Sequence, residues 1–153
     1  VRLESLKVGR TYSLHLCWIR PDSNEMYRRY AEVTRHEVSL PLGVAPDSTG
    51  ALPEAVVAQF RERWGDDLGD KLAGKLARKP DTPCHVVERL YKDAEDLHDI
   101  TTRFFLTSKP RVDLYTQLNI SREKERPVGD YLLRIYLDRR LLKEVPFTLQ
   151  DNS

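Results

Sequence analysis

The chain has 153 residues, a formal net charge of +1 and 32% charged residues. That length supports one self-sufficient core without metal or disulfide staples, and the near-neutral balance excludes a global field drawing the chain to nucleic acid or anionic lipid. No apolar run approaches the roughly 18 residues that span a bilayer, no signal-type segment opens the chain, and Cys17 and Cys84 are too few for a disulfide framework.

Sparse cysteine favours a reducing compartment, so the expectation is one domain over residues 1–153 in the cytoplasm. Val1 in place of a methionine suggests a processed chain or a segment of something larger. Arg outnumbers Lys, and the mixed charges imply a solvated surface whose exposed ion pairs each contribute little.

Arg10 to Ile19 reads as a strand, with Tyr12, Leu14, Leu16 and Trp18 on one face and Ser13, His15 and Cys17 on the other. Pro21-Asp22-Ser23-Asn24 carries turn chemistry. Arg29 to Leu42 reads as a second extended segment, and its less regular pattern suggests a bulge. Pro41 and the stretch from Gly43 to Gly50 close this β-rich opening, placing the early strands at about 10–42.

The period then changes. Leu52, Val56, Phe60, Trp64, Leu68, Leu72 and Leu76 recur every four residues, the spacing of a helix face. Pro53 suits a first helical turn, and Gly65-Asp66-Asp67-Leu68-Gly69 breaks the run. The pattern predicts helices at Pro53–Trp64 and Leu68–Arg78, with Asp66 or Asp67 capping the second, so the helical insertion covers 53–79. Thr82-Pro83 can open a third helix reaching His98, but Val86 to Tyr91 fits a short strand equally well, and both readings stay open. Asp99 to Thr107 reads as a strand with Ile100, Thr102, Phe104 and Leu106 on one face.

From Pro110 to Ile120 the alternation places Val112, Leu114, Thr116, Leu118 and Ile120 on a buried face. Gly129 to Leu149 reads strand, two-residue turn, strand, so the late strands occupy 99–149. The ending Gly129-Asp130-Tyr131, Ile135-Tyr136-Leu137-Asp138 and Val145-Pro146-Phe147 resembles the final hairpin of bacterial immunoglobulin-like and fibronectin-like domains. Those often finish with a Gly-x-Tyr strand, a short Asp-containing turn and a Phe-bearing last strand. The resemblance covers the last quarter of the chain and implies a mainly β (α+β) fold: an antiparallel immunoglobulin-like β-sandwich with a central helical insertion. It also implies a spacer or binding module more than a catalyst. Asp138-Arg139 departs from it by lacking the glycine of a type I′ turn, and Pro53 to Arg78 has no counterpart in a minimal sandwich.

Catalytic and metal chemistry finds little support. His15-x-Cys17 with Cys84-His85 offers four candidate zinc ligands, but the spacing matches no standard zinc pattern. A Cys17–Cys84 disulfide is disfavoured for the same lack of a framework, and half-buried thiols acting as small apolar groups are the simpler reading. A thiol enzyme would pair Cys84 with His36 or His98, without a flanking signature or an orienting third residue. No Gly-x-Ser-x-Gly or phosphate-binding glycine loop occurs, and Asp66-Asp67-Leu68-Gly69-Asp70 lacks the ligand alternation of a calcium loop. Lys71, Lys75, Arg78 and Lys79 line one helix at helical spacing; a phosphate-contacting or membrane-surface face competes there with cations simply favoured near a helix C-terminus.

The outward strand positions are more informative. Arg103, Phe105, Tyr115, Arg134 and Tyr136 form a candidate binding face rich in the residue types that dominate interfaces. The alternative is that the helices lie across this face and bury its aromatics. The expectation is a non-enzymatic protein-interaction or regulatory domain, without cofactor or metal, whose partner is another protein or another domain of the same chain. No specific nucleic-acid or membrane signal is present. A carbohydrate-binding module with Trp18, Tyr115 or Tyr136 as stacking platforms is the runner-up, followed by the thiol enzyme.

Overall fold

The alternating segments become strands and the four-residue stripe becomes two helices in a computed structural model that describes residues 1–93, 100–107, 111–113 and 127–150. In chain order these are β1 (Arg2–Leu3), β2 (Thr11–Ile19), β3 (Glu25–Val38), α1 (Glu54–Trp64), α2 (Asp66–Arg78), β4 (Cys84–Asp93), β5 (Ile100–Thr107), β6 (Val112–Asp113), β7 (Gly129–Leu137) and β8 (Arg140–Leu149). Six strands form an antiparallel sheet in the order β5-β4-β3-β2-β7-β8, and β1 pairs with β6 in a small ribbon. The fold is mainly β with two helices. Among the described residues the strands build this one large sheet and the ribbon, where the hairpin resemblance pointed to two facing sheets.

The open choice at Cys84 resolves to a strand. β4 pairs with β3 over its whole length, from Val38 opposite Cys84 to Arg29 opposite Asp93. β-Branched Val86 and Val87 suit that setting, each burying its side chain on a different face. Pro83 therefore precedes a strand rather than opening a helix. Tyr115, His98 and most of the Pro110–Ile120 strand lie outside the described residues.

Directly opposed residues of antiparallel neighbours share a face, so the register sorts the sheet into two sides. On one side Leu14, Ala31, Val33 and Val87 pack with Leu3 and Leu6 of the N-terminal segment, and with Tyr12, Tyr91 and Phe105 at their margin. Leu16, Trp18 and Ile135 continue this side toward Leu133, Val145 and Phe147. On the other side Val38 and Val86, with Phe104 and Leu106, receive Val56, Phe60, Trp64, Leu72 and Leu76 of the helices.

Gly65 alone separates the helices, at φ 91°, a conformation that favours glycine. Gly65 also occupies the cap position of α2, so Asp66 and Asp67 fall inside its first turn, where they complement the helix dipole instead of capping it. Pro53 is the cap of α1, and its carbonyl accepts from Val56 and Val57 N–H at 3.0 and 3.2 Å. The β7–β8 turn takes the type I′ conformation without glycine, with Asp138 at φ 48° and Arg139 at φ 68°. Ties to β2 hold it: Asp138 N–H donates to the Ser13 carbonyl at 2.8 Å, and the Asp138 carboxylate accepts from Ser13 N–H at 3.0 Å and from Arg10 at 2.9 Å.

The two helices meet at Gly69. A Cβ there would lie 2.6 Å from the Arg61 nitrogen and 2.8 Å from the Phe60 carbonyl carbon, both backbone atoms, whereas one at Gly74 would meet nothing within 4 Å. Gly69→Ala should therefore lose about 1–3 kcal/mol through forced separation of the helices, despite alanine's better helix propensity. Gly74→Ala should gain about 0.5–1 kcal/mol. Urea unfolding of both variants checks this, and equal effects would refute the close crossing.

Candidate recognition face

The register divides the expected binding residues between the two sides of the sheet. Phe105 is opposite Val87 and Arg103 opposite Arg89, which places both on the side covered by Leu3 and Leu6. Arg134 is opposite Cys17 and Tyr136 opposite His15, on the side that carries the helices. Arg103, Phe105, Arg134 and Tyr136 therefore do not make one surface, and Tyr115 lies outside the described residues.

Phe105 is half-buried against the core, in a ladder of guanidinium and aromatic groups. Arg29 lies 5.0 Å and Arg89 4.7 Å from the Tyr91 ring centre, and Arg89 lies 5.4 Å from that of Phe105. Like charges directly opposite each other, as Arg89 and Arg103 are, disfavour a strand pair. The ring faces offset part of that repulsion by cation–π attraction. Trp18, a proposed sugar platform, is buried at 5% exposure.

The helix-bearing side offers a different surface. The helices occupy the end where β3 finishes and β4 begins, above Val38 and Val86. Further along the same side a cross-strand row runs Lys92, Tyr30, His15, Tyr136 over four neighbouring strands. These side chains are half-buried. The His15 and Tyr30 ring centres are 4.9 Å apart. Tyr30 donates its hydroxyl proton to the Glu32 carboxylate and lies 3.5 Å from the Ser13 hydroxyl. The next row places Cys17 between Arg28 and Arg134. Arg28 donates to Glu25 at 2.8 Å and Arg134 to Glu144 at 3.0 Å. Sequence reasoning weighs His15 only as a metal ligand and does not single out Tyr30 or Glu32, because their segment lacks a clean alternation. The clue was His15 and Ser13 alternating with the apolar residues of β2.

The imidazole and thiols of this face are held toward their neutral forms. Burial, helped by the Arg28 and Arg139 guanidiniums, holds the His15 imidazole below its ordinary 6.5, so it is neutral at pH 7. Burial and a hydrogen bond with Glu25 push the Cys17 thiol from its ordinary 9.0 to about 11, against the pull of Arg28. Burial likewise raises the Cys84 thiol, with Lys75 acting in the opposite direction. A nucleophilic cysteine needs the reverse shift.

The other expected constellations are not assembled. Cys17 sits beside Arg28 and Cys84 beside Val38, ten register positions apart on β3 and so roughly 30 Å along the strand. Both thiols are free. Cys84 and His85, as strand neighbours, leave on opposite faces. Among the described residues no group of three or more histidine, cysteine or carboxylate side chains could hold a metal ion. His36 bonds through Nε2 to Glu88 at 2.8 Å and lies edge-on to Trp64, so that nitrogen is engaged away from Cys84. No helix among the described residues is long and apolar enough to cross a membrane.

Because the Cys17 pKa is raised on folding, its protonated form contributes stability that is fully present below pH 9.0 and is lost as pH rises to about 11. The urea midpoint should therefore fall over that interval, and Cys17→Ala should flatten the fall. A slope identical in the variant would show that Cys17 is not the group responsible. Compared with protein-family models, with curated protein sequences and with solved structures, the chain gives no match.

Proposed function

We propose that the chain is a non-enzymatic recognition domain that binds another protein, or another domain of its own polypeptide, through the part of the helix-bearing side that the helices do not occupy. One observation carries this: the half-buried Tyr30–His15–Tyr136 row, flanked by Arg28 and Arg134, concentrates tyrosine and arginine on a rigid six-stranded platform. Such rings bring large contact area at little entropic cost, because the sheet already fixes them. Their neighbours Glu25, Glu32 and Glu144 give the face both signs of charge, which suits a mixed polar protein surface better than a polyanion.

The resemblance of the final hairpin to that of bacterial immunoglobulin-like and fibronectin-like domains, which are usually spacers or binding modules, is in keeping with the same reading. Two free thiols far apart support a reducing, cytoplasmic setting. The carbohydrate reading keeps one observation in its favour, the same aromatic row, in which Tyr136 and Tyr30 could flank a sugar ring.

A partner isolated with the wild-type domain and then purified should bind an Arg134→Ala/Tyr136→Ala variant at least tenfold more weakly, about 1.4 kcal/mol or more. Arg103→Ala, on the opposite side, should bind as wild type. Surface plasmon resonance measures both. Undiminished binding by the double variant refutes the assignment, and glycan binding that Tyr136→Ala abolishes would favour the carbohydrate module.

A further inference from the structure

Beyond the recognition face, a cavity of about 660 Å³ opens between the end of α2, the start of β4 and the end of β5. That volume is within the range of small-molecule sites. Three cations from the last turn of α2 enter its wall: Lys75, Arg78 and Lys79. Among the described residues none of the three is ion-paired, and no carboxylate lines the cavity. Asp81, in the turn that follows α2, is exposed and is not part of the wall.

The rest of the lining complements those charges. Thr82 brings a hydroxyl, Pro83, Cys84 and Leu106 form an apolar patch, and His85 and Thr107 complete the wall at the paired strand ends. Arg35 Nη2 lies 3.1 Å from His85 Nδ1, which ties the His85 ring to β3. Lys75 and Arg78 also line a second cavity of about 540 Å³ on the adjoining flank of α2, where the wall includes Asp70, itself paired with Arg61. The helix dipole accounts for cations near a helix C-terminus. It does not account for three of them at i, i+3 and i+4 spacing, where like charges repel, around a concave wall with no carboxylate among its described residues.

We propose that this cavity binds a phosphate monoester, with the phosphoryl group held by Lys75, Arg78 and Lys79 and the apolar body of the ligand laid on Pro83, Cys84 and Leu106. Arginine and lysine together match a dianionic tetrahedral group, arginine through paired hydrogen bonds and lysine as a point charge. The Thr82 hydroxyl can donate to a remaining oxygen. A concave wall of this size favours a small ligand over a lipid surface, which needs a protruding basic face with apolar residues to insert.

Isothermal titration calorimetry of the whole chain with phenyl phosphate, inorganic phosphate and phenol at fixed ionic strength tests this. Saturable one-to-one binding of phenyl phosphate is expected, at least tenfold tighter than inorganic phosphate, with none for phenol. Lys75→Gln/Arg78→Gln should weaken it at least tenfold. Lys75→Arg/Arg78→Lys, which keeps both charges but misplaces the paired donors, should weaken binding less than Lys75→Gln/Arg78→Gln does. Arg140→Gln, a remote charge removal, should leave binding unchanged, and unaltered melting temperatures confirm folding of every variant. No saturable binding of phenyl phosphate, undiminished binding by Lys75→Gln/Arg78→Gln, or equal affinity for inorganic phosphate would overturn the proposal. So would binding confined to phosphatidylserine vesicles, which would make the basic turn a membrane-surface contact.

Discussion

The seat of Trp64 on the sheet determines where everything else can lie. As the last residue of α1 it meets Phe104 of β5 edge-on, with ring centres 5.4 Å apart, and His36 of β3 at 5.2 Å. Arg63 covers its outer face at 4.1 Å. Truncating a buried aromatic of this kind costs about 3–5 kcal/mol, a large share of the stability of a single domain. Because Gly65 follows at once and Gly69 lets α2 pass close to α1, one anchored indole positions the whole helical pair. The pair ends up over Val38, Val86, Phe104 and Leu106, at one end of the sheet.

Two consequences follow from that seat. The helices cannot also cover β2 and β7, so the Tyr30–His15–Tyr136 row is left half-exposed on the same side. The C-terminal turn of α2 is carried to the mouth of the β4–β5 hairpin, where its cations face the strand ends instead of solvent alone. The proposed recognition face and the basic cavity are thus two products of one packing choice, and both rely on the opposite side of the sheet being closed by Leu3, Leu6 and the arginine–aromatic ladder.

The elements themselves were legible because burial leaves a period. Tyr12, Leu14, Leu16 and Trp18 announced β2, and Val56, Phe60, Trp64, Leu72 and Leu76 announced the helices and their inward stripe. What period cannot carry is which strand lies beside which. Arg103 and Phe105 alternate with core residues just as Arg134 and Tyr136 do, but β5 and β7 are separated by three strands, and pairing put their outward positions on opposite sides. Cys84 to Asp93 was ambiguous because a strand with valines on both faces lacks clean alternation. The Asp138-Arg139 turn defied its sequence because Ser13 and Arg10, distant in the chain, hold Asp138 in place.

The central claim is that a protein partner docks on the helix-bearing side of the sheet. The most direct measurement is the aromatic side-chain NMR spectrum of the labelled domain as purified partner is added. The account predicts that resonances of His15, Tyr30 and Tyr136 shift or broaden while those of Tyr12, Tyr91 and Phe105 hold their positions. Shifts confined to Tyr12, Tyr91 and Phe105 would place the partner on the opposite side and contradict it.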